Sequence, residues 1–185
     1  MKLTSEKITL APLELQDIEL IHYSSSDYAK ISPFFTTYIR SKNYWEKRFN
    51  DTGLWDDDYG MLKIINNSDN KLIGVIWFFK GLPYASGKEI GFNIFDKEER
   101  SRGFATEALE IFASYLFDTF DLNRLQCNTL LPSDHPSIKN ISERTNFIYE
   151  GTMRKAMFIR GKYIDLNLFS LLREDSKPLN ELVKN

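Results

Sequence analysis

The chain contains a single cysteine, Cys127, and two histidines among its 185 residues. One cysteine cannot form an internal disulfide, and no cysteine and histidine spacing typical of a structural metal site is present. There is also no serine, histidine and aspartate arrangement typical of a hydrolase. We therefore expect a fold that needs neither disulfides nor a metal, in which Cys127 is a buried strand residue rather than a nucleophile.

Long apolar runs are missing as well. No stretch approaches the ~18 apolar residues of a membrane helix, and residues 1–7 lack the apolar core of a signal peptide. A formal net charge of −2 and a pI near 5.8 give no general attraction to nucleic acid. We therefore expect a cytoplasmic protein with no membrane or nucleic-acid partner, in which any basic site is local.

The residues that are present are those of a globular protein, with 42% hydrophobic and 14% aromatic content. A chain of this length buries roughly 70% of its unfolded surface without extra crosslinks. Proline and glycine are scattered, and no repeat or low-complexity linker occurs. The sequence predicts one domain over residues 1–185, with a polar tail at 175–185 that frays.

Hydrophobic periodicity gives the order of the secondary-structure elements. The predicted elements are a strand at 6–13, a helix at 15–24, a helical region at 27–49 interrupted near Pro33, a hairpin of 59–65 and 72–80, a strand around Glu89, a helix around Glu107, a strand at 125–130, a helix at 137–145, and strands at 147–158 and 163–172. This order predicts a mixed, mostly antiparallel sheet with one parallel pair and helices on both faces. The fold class is α+β, in three layers.

Residues 88–110 form the most informative segment, because a strand, a short basic turn and a helix follow one another there. Ile90, Phe92 and Ile94 alternate as in a strand with one buried face. Gly103 lets the backbone approach a ligand closely, and the free N–H groups at 102–106 lie at the positive end of the helix. This arrangement predicts a pyrophosphate site on the basic turn at 100–106.

The segment resembles motif A of the GCN5-related N-acetyltransferase (GNAT) family, whose pyrophosphate loop has the spacing of Arg100 to Ala105. The similarity covers roughly residues 5 to 175 and is greatest to the ribosomal-protein N-terminal acetyltransferase (RimJ/RimL-like) branch. The further matching stretches are residues 7–13, 89–92, 134–138, 143–147, 150–151 and 165–172. The resemblance implies a seven-stranded sheet, splayed parallel strands, acetyl-CoA as cosubstrate without a metal, and a monomer or homodimer.

The resemblance also implies roles for particular residues. Backbone N–H groups of the strand would pair with the pantetheine arm, and one near Ile94 would polarise the acetyl oxygen. Glu89 is the candidate base; the alternative is a salt bridge or a solvated strand residue. The implied cofactor-binding residues are Phe92, Asn93, Ile94, Phe95, Arg100, Ser101, Arg102, Gly103, Phe104, Ala105, Thr106, His135 and Ile138.

Four positions depart from the family pattern. His135 replaces an asparagine, Ile138 a serine that can assist the departing thiolate, Phe169 a tyrosine, and Asn146 a glycine. His135 could hydrogen-bond to the cofactor, donate a proton to the thiolate as a weak catalytic candidate, or lie on the surface, while the Ser137 hydroxyl could cap the helix. Because coenzyme A thiolate is a fair leaving group, we expect loss of a general acid to slow transfer rather than abolish it.

The acceptor half is strongly aromatic, with local negative charge at Asp56, Asp57 and Asp58. A pocket that binds cations is one interpretation, and packing of helices beside a solvated acidic loop is the other. The candidate substrate-binding residues are Phe34, Tyr38, Trp45 and Tyr84.

We expect an acetyl-CoA-dependent N-acetyltransferase that acts on a protein N-terminal α-amino group. Such a group, with a pKa of ~7.7–8, needs less of a base than a lysine amine at ~10.4. The alternatives are a small amine metabolite or antibiotic as acceptor, another acyl-CoA as donor, a non-catalytic acyl-CoA sensor, and an unrelated nucleotide-binding module.

Overall fold

The computed structural model describes residues 1–26, 38–81 and 87–184. Within these ranges the strands are β1 (Leu3–Thr4), β2 (Ile8–Pro12), β3 (Tyr59–Asn66), β4 (Lys71–Lys80), β5 (Gly87–Ile94), β6 (Arg124–Thr129), β7 (Ile148–Ile159) and β8 (Lys162–Leu172). The α-helices are α1 (Asp17–Ser26), α2 (Lys42–Thr52), α3 (Phe104–Thr119), α4 (Pro136–Thr145) and α5 (Leu179–Leu182). No helix in this part of the chain is long and apolar enough to cross a membrane.

The strands form one sheet in the order β1-β2-β3-β4-β5-β6-β8-β7. Among the described strands, only β5 and β6 pair in parallel, and all other neighbours are antiparallel. The predicted mixed, mostly antiparallel sheet is confirmed, but the count of seven strands is wrong. The described residues form eight strands, because the short β1 pairs with β2 through Leu3↔Leu10 and Thr4↔Thr9.

Each face of the sheet has its own apolar cluster, because successive strand residues point to opposite faces. On one face, Phe78 and Ile90 pack with Phe112 of α3; we call it the α3 face. On the other, Met61 and Val75 pack with residues of the α1 and α2 region; we call it the α1 face. The predicted placement of helices on both faces is therefore confirmed.

The tail contacts the rest of the fold up to residue 184. α5 packs apolar side chains at positions 179, 182 and 183 against the cluster on the α3 face. The Ser114 hydroxyl donates to the Lys177 carbonyl at 2.8 Å, and the Lys184 N–H donates to the Thr4 carbonyl at 2.7 Å. These three apolar residues at helical spacing were not apparent in the polar composition of the tail.

Candidate active site

The parallel strands β5 and β6 separate halfway along their length. Their pairing runs from Gly87↔Arg124 to Ile90↔Cys127 and stops there. β5 continues to Ile94 beside β4, and β6 continues to Thr129 beside β8. A gap therefore opens inside the sheet between residues 91–94 of β5 and residues 128–129 of β6. We call it the β5–β6 gap.

Backbone groups of β5 line one side of this gap. The Phe95 N–H donates to the Ile73 carbonyl of β4 at 2.9 Å. Because antiparallel neighbours hydrogen-bond at alternate residues, the N–H groups of Phe92 and Ile94 point the other way, into the gap. Asn93 turns its carbonyl towards β4, so close that a Cβ at Gly74 would lie 2.3 Å from it. The strand edge thus offers donors to an extended ligand.

Arg100 fixes the basic turn to the end of β5. Its Nε donates to the Ile94 carbonyl at 3.1 Å, and its Nη2 donates to the Phe95 carbonyl at 3.2 Å. These bonds use guanidinium donors that we had expected to face a cofactor. Arg100 therefore holds the turn beside the gap, and the turn presents its other residues to a ligand.

The turn ends at Gly103, which is the N-cap of α3 with φ 88° and ψ −1°. Within the described residues no side chain caps this helix, and the first backbone bond of the helix runs from the Glu107 N–H to the Gly103 carbonyl at 3.0 Å. The side chains of Phe104 and Thr106 are buried. The backbone N–H groups of 104–106 are therefore the groups that this helix start offers to an anion.

Three cations surround this helix start. Arg102 pairs with Glu99 at 2.6 Å and lies over the Phe104 ring at 5.0 Å. A Cβ built on Gly103 would lie 3.4 Å from Arg144 Nη1 and 3.8 Å from Lys7 Nζ. Neither Arg144 nor Lys7 forms a salt bridge with a described residue.

Sequence reasoning missed Lys7 and Arg144 because they lie far from the basic turn in the chain. The fold brings them to it through Glu107, whose Oε1 accepts from the Lys7 N–H at 2.9 Å and from the Ser5 hydroxyl at 2.5 Å. This carboxylate anchors residues 5–7 to the first turn of α3. No local sequence pattern predicts such a contact. The one available signal was that Arg144 lies in the stretch 143–147 that resembles the family.

Glu89 lies one residue before the last parallel pair of β5 and β6. Gln126, its register partner on β6, donates from Nε2 to Glu89 Oε2 at 3.1 Å. Glu89 forms no salt bridge within the described part of the chain, which removes one of the two alternatives to a catalytic role. Glu89 pairs with Phe79 of β4, which places both side chains on the α1 face. Its role as base stays a prediction.

Cys127 lies beside this carboxylate on the neighbouring strand. Burial, together with the nearby charge of Glu89, raises the pKa of its thiol to about 12. The thiol therefore stays protonated at neutral pH, when it is a poor nucleophile.

His135 caps α4 with its ring. Nδ1 accepts a hydrogen bond from the Ser137 N–H at 3.2 Å. In the neutral ring the proton is then on Nε2, which is free to donate elsewhere. The expectation that Ser137 caps this helix was wrong, because Ser137 lies inside the helix and is exposed. Ile138 and Phe169 are both buried in the cluster on the α3 face, so packing takes the place of the absent hydroxyls.

Three aromatic residues of the predicted acceptor half lie around a cation of the chain itself. The Arg40 guanidinium is 5.3 Å from the ring centroid of Tyr44, 5.6 Å from that of Trp45 and 6.0 Å from that of Tyr38. Trp45 is 6% exposed, in the cluster on the α1 face, whereas Tyr38 is 72% exposed. This placement favours packing over substrate contact for Trp45. Phe34 and Tyr84 lie outside the described residues.

The acidic loop borders a surface depression of about 790 Å³ on the α1 face, next to Phe79. Asp56 Oδ1 accepts from the N–H groups of Asp58 and Tyr59 at 2.9 and 2.8 Å, and Asp58 pairs with Lys80 at 3.1 Å. The Asp57 carbonyl accepts from the Lys88 ammonium, a buried group whose pKa burial lowers. Two of the three carboxylates are therefore already engaged within the chain.

Comparison with known proteins gives the following matches. A family model described as an acetyltransferase (GNAT) domain matches residues 7–147. The uncharacterized N-acetyltransferase p20 of Bacillus licheniformis is 29% identical over 179 residues, covering 94% of this chain and 97% of that protein. The spermidine N(1)-acetyltransferase of Vibrio cholerae is 23% identical over 176 residues, covering 95% and 98%.

Among solved structures, RimL, a ribosomal alpha-N-protein acetyltransferase in complex with coenzyme A, matches with a TM-score of 0.77. The match covers 93% of this chain and 98% of that one, at 17% identity. At this identity the likeness shows that the fold is shared.

Proposed function

Because the chain belongs to the GNAT family of N-acetyltransferases, we propose that it transfers the acetyl group of acetyl-CoA to the α-amino group of a protein N-terminus. The observation that carries this proposal is the β5–β6 gap, which opens beside the uncapped start of α3. The gap suits the extended arm of the cosubstrate, and the helix start suits its pyrophosphate. The arm and the pyrophosphate are parts of one cosubstrate, which would extend from the gap to the helix start.

In the proposed complex the pyrophosphate lies on the N–H groups of residues 104–106. Lys7 and Arg144 add positive charge on the side of the turn where Gly103 has no side chain. The N–H groups of Phe92 and Ile94 pair with the pantetheine arm, and the one at Ile94 polarises the thioester carbonyl as its oxygen becomes negative. The binding site therefore consists mainly of backbone, which is why its side chains can be apolar.

The reaction is direct transfer. The neutral amine attacks the thioester carbon, a C–N bond forms, the C–S bond breaks and the electron pair leaves on sulfur. The proton lost by the nitrogen passes to Glu89, directly or through a water molecule, and the coenzyme A thiolate takes a proton from solvent, while the Nε2–H of neutral His135 can stabilise the thiolate by a hydrogen bond. The products are an N-acetyl amide and coenzyme A.

The choice of an α-amino group rests on the available base. At pH 7.4 an amine of pKa ~7.7–8 is about one fifth to one third neutral, whereas a lysine amine of pKa ~10.4 is neutral in about one molecule in a thousand. Glu89 is held by a neutral amide and has no cationic partner among the described residues. A site with this single candidate base favours the amine that needs less deprotonation.

Acetylation of a polyamine is the second candidate. The depression lined by Asp56, Asp57 and Asp58 lies next to Phe79, which is the register partner of Glu89. Negative charge beside the candidate base suits a small polycation. A relative from Vibrio cholerae that is named a spermidine N(1)-acetyltransferase matches this chain in sequence over 98% of its own length.

The test is thiol release by the purified full chain with acetyl-CoA and matched acceptors: a lysine-free peptide with a free N-terminus, the same peptide N-blocked with one internal lysine, and spermidine. We expect release with the free α-amine and a product acetylated at the N-terminus. Release with spermidine alone would select the second candidate. Stabilisation by acetyl-CoA without any release would indicate a sensor, and no stabilisation would overturn the cosubstrate site.

A further inference from the structure

Asn128 lies at the mouth of the β5–β6 gap. Asn128 follows Cys127, the last residue of β6 that pairs with β5. Its Oδ1 is buried and has no hydrogen-bond partner among the residues that the structure describes. A buried acceptor without a donor destabilises a fold, so its presence here requires an explanation.

Asn128 lies on the same face of the sheet as Glu89. Residues two apart on a strand share a face, and Gln126, two residues earlier, contacts Glu89. The register places Gly91 of β5 at the next level across the gap. The Trp77 ring packs directly against Gly91 on this face, since a Cβ at Gly91 would lie only 2.5 Å from that ring.

Several apolar side chains lie on the opposite face of the sheet near the gap. Ile90, Ile138 and Phe169 are buried there against α3 and its neighbours. The side chains of Glu89, Gln126 and Asn128 all belong to the α1 face. An amine that approaches the thioester from this face meets the Asn128 oxygen at the level where the strands part.

We propose that Asn128 Oδ1 accepts a hydrogen bond from the acceptor amine and positions its nitrogen for attack on the thioester. An unpartnered acceptor needs a donor, and a primary amine has N–H groups to give, whereas a thioester carbonyl has none. With one N–H held by Asn128, the lone pair faces the carbonyl carbon. The remaining N–H loses its proton towards Glu89 as the C–N bond forms and the C–S bond breaks. This inference rests on the proposed function.

The test compares Asn128→Leu, which keeps the size and removes the acceptor, with Asn128→Asp, which keeps an acceptor and adds charge. We expect Asn128→Leu to lower kcat/KM for the amine by about tenfold, the effect of one lost hydrogen bond. The KM for acetyl-CoA stays unchanged and the Tm stays equal or rises, because a buried unpaired oxygen is removed. The control is Asn140→Leu, which replaces an exposed asparagine on α4. We expect it to leave the kcat/KM for the amine and the KM for acetyl-CoA unchanged.

Asn128→Asp gives a measurement that would not change if Asn128 had only a structural role. The carboxylate accepts the same N–H and so keeps the KM for the amine near that of the wild type. Its negative charge also favours the ammonium form of the bound amine, and we therefore expect the pH profile of kcat/KM to shift to higher pH. A fall in activity with no shift would contradict this.

The remaining outcomes overturn the inference. Unchanged amine kinetics in Asn128→Leu would show that Asn128 does not contact the acceptor. A rise in the KM for acetyl-CoA alone would show instead that Asn128 binds the pantetheine amides. Wild-type protein that acetylates no amine in the panel would reject the proposed function itself, and the inference with it. Active wild type with an unaffected Asn128→Leu variant rejects only the inference.

Discussion

Gln126 donates a hydrogen bond from Nε2 to Oε2 of Glu89 at 3.1 Å, across the strand pair that precedes the β5–β6 gap. The bond fixes the carboxylate on the α1 face and leaves it without a cationic partner among the described residues. A carboxylate held in this way beside an opening in the sheet is placed to receive a proton from an incoming amine.

The first prediction concerns this carboxylate. Glu89→Gln removes the base but keeps the size and a hydrogen bond to Gln126. We expect kcat at neutral pH to fall by about 10²-fold or more, the typical contribution of a positioned base, with the KM for acetyl-CoA unchanged. Steady-state thiol release from pH 6 to 10 measures this, and the loss should shrink at high pH where the amine is already neutral. Equal activity of variant and wild type at all pH values would contradict a catalytic Glu89.

The second prediction concerns the two cations beside Gly103. Lys7→Gln and Arg144→Gln each remove one positive charge near the proposed pyrophosphate seat. We expect each to weaken acetyl-CoA binding by about three- to tenfold at low salt, with a smaller effect at high salt because exposed charges are screened. Calorimetric titration at two salt concentrations measures this. Lys139→Gln, an exposed lysine elsewhere on α4, should bind like the wild type, and equal losses in all three variants would point to net charge alone.

The third prediction concerns stability against pH. Hydrogen bonds from the side chains of Arg124 and Ser170 lower the pKa of Glu150 to about 2. Since this lies below the ordinary value of about 4.3, the ionised carboxylate stabilises the fold above that value. The contribution is lost as the pH falls towards the lowered pKa.

Glu150→Gln should therefore melt at a lower temperature than the wild type at pH 7, and the two Tm values should converge as the pH is lowered from about 5 to 3. Thermal unfolding at a series of pH values measures the difference. Because the side chains are about one third exposed, the effect at pH 7 is modest. A difference that stays constant with pH would show that the ion pair is not its cause.

The fourth prediction concerns the thiol beside the gap. With a pKa raised to about 12 by burial, Cys127 should react with iodoacetamide far more slowly than free glutathione at pH 8. Cys127→Ala should keep acetyl transfer within about threefold of the wild type, since it removes only a small, partly buried group. Rapid alkylation of Cys127 that acetyl-CoA blocks would contradict the prediction that this thiol is unreactive.

Local patterns were enough to predict the turn and the strands around it. The alternation of Ile90, Phe92 and Ile94, followed by a basic turn at Gly103, depends on neighbours in the chain, and the structure has a strand, a turn and an uncapped helix there. The matched hairpins at β3–β4 and β7–β8 follow from turn residues in the same way.

Features that depend on contacts between distant residues were missed. Lys7 and Arg144 meet at Gly103 only because Glu107 binds the backbone of residue 7 and α4 packs on α3. Asn128 looks like any polar strand residue until the register shows that pairing with β5 stops just before it. The aromatic composition indicated a site for a cation, and the sequence did not show that Arg40 of the chain itself lies beside three of these rings.

The most direct test of the acetyl-CoA site is calorimetric titration of acetyl-CoA into the wild type, Gly103→Ala and Gly103→Glu. Both variants carry the strain of a side chain at φ 88°, but only glutamate places a carboxylate between Lys7 and Arg144, where the cosubstrate phosphate would lie. We predict saturable binding by the wild type, weaker binding by Gly103→Ala, and no binding by Gly103→Glu at a Tm similar to that of Gly103→Ala. Equal affinity in Gly103→Glu and Gly103→Ala, or no binding by the wild type, would contradict the account.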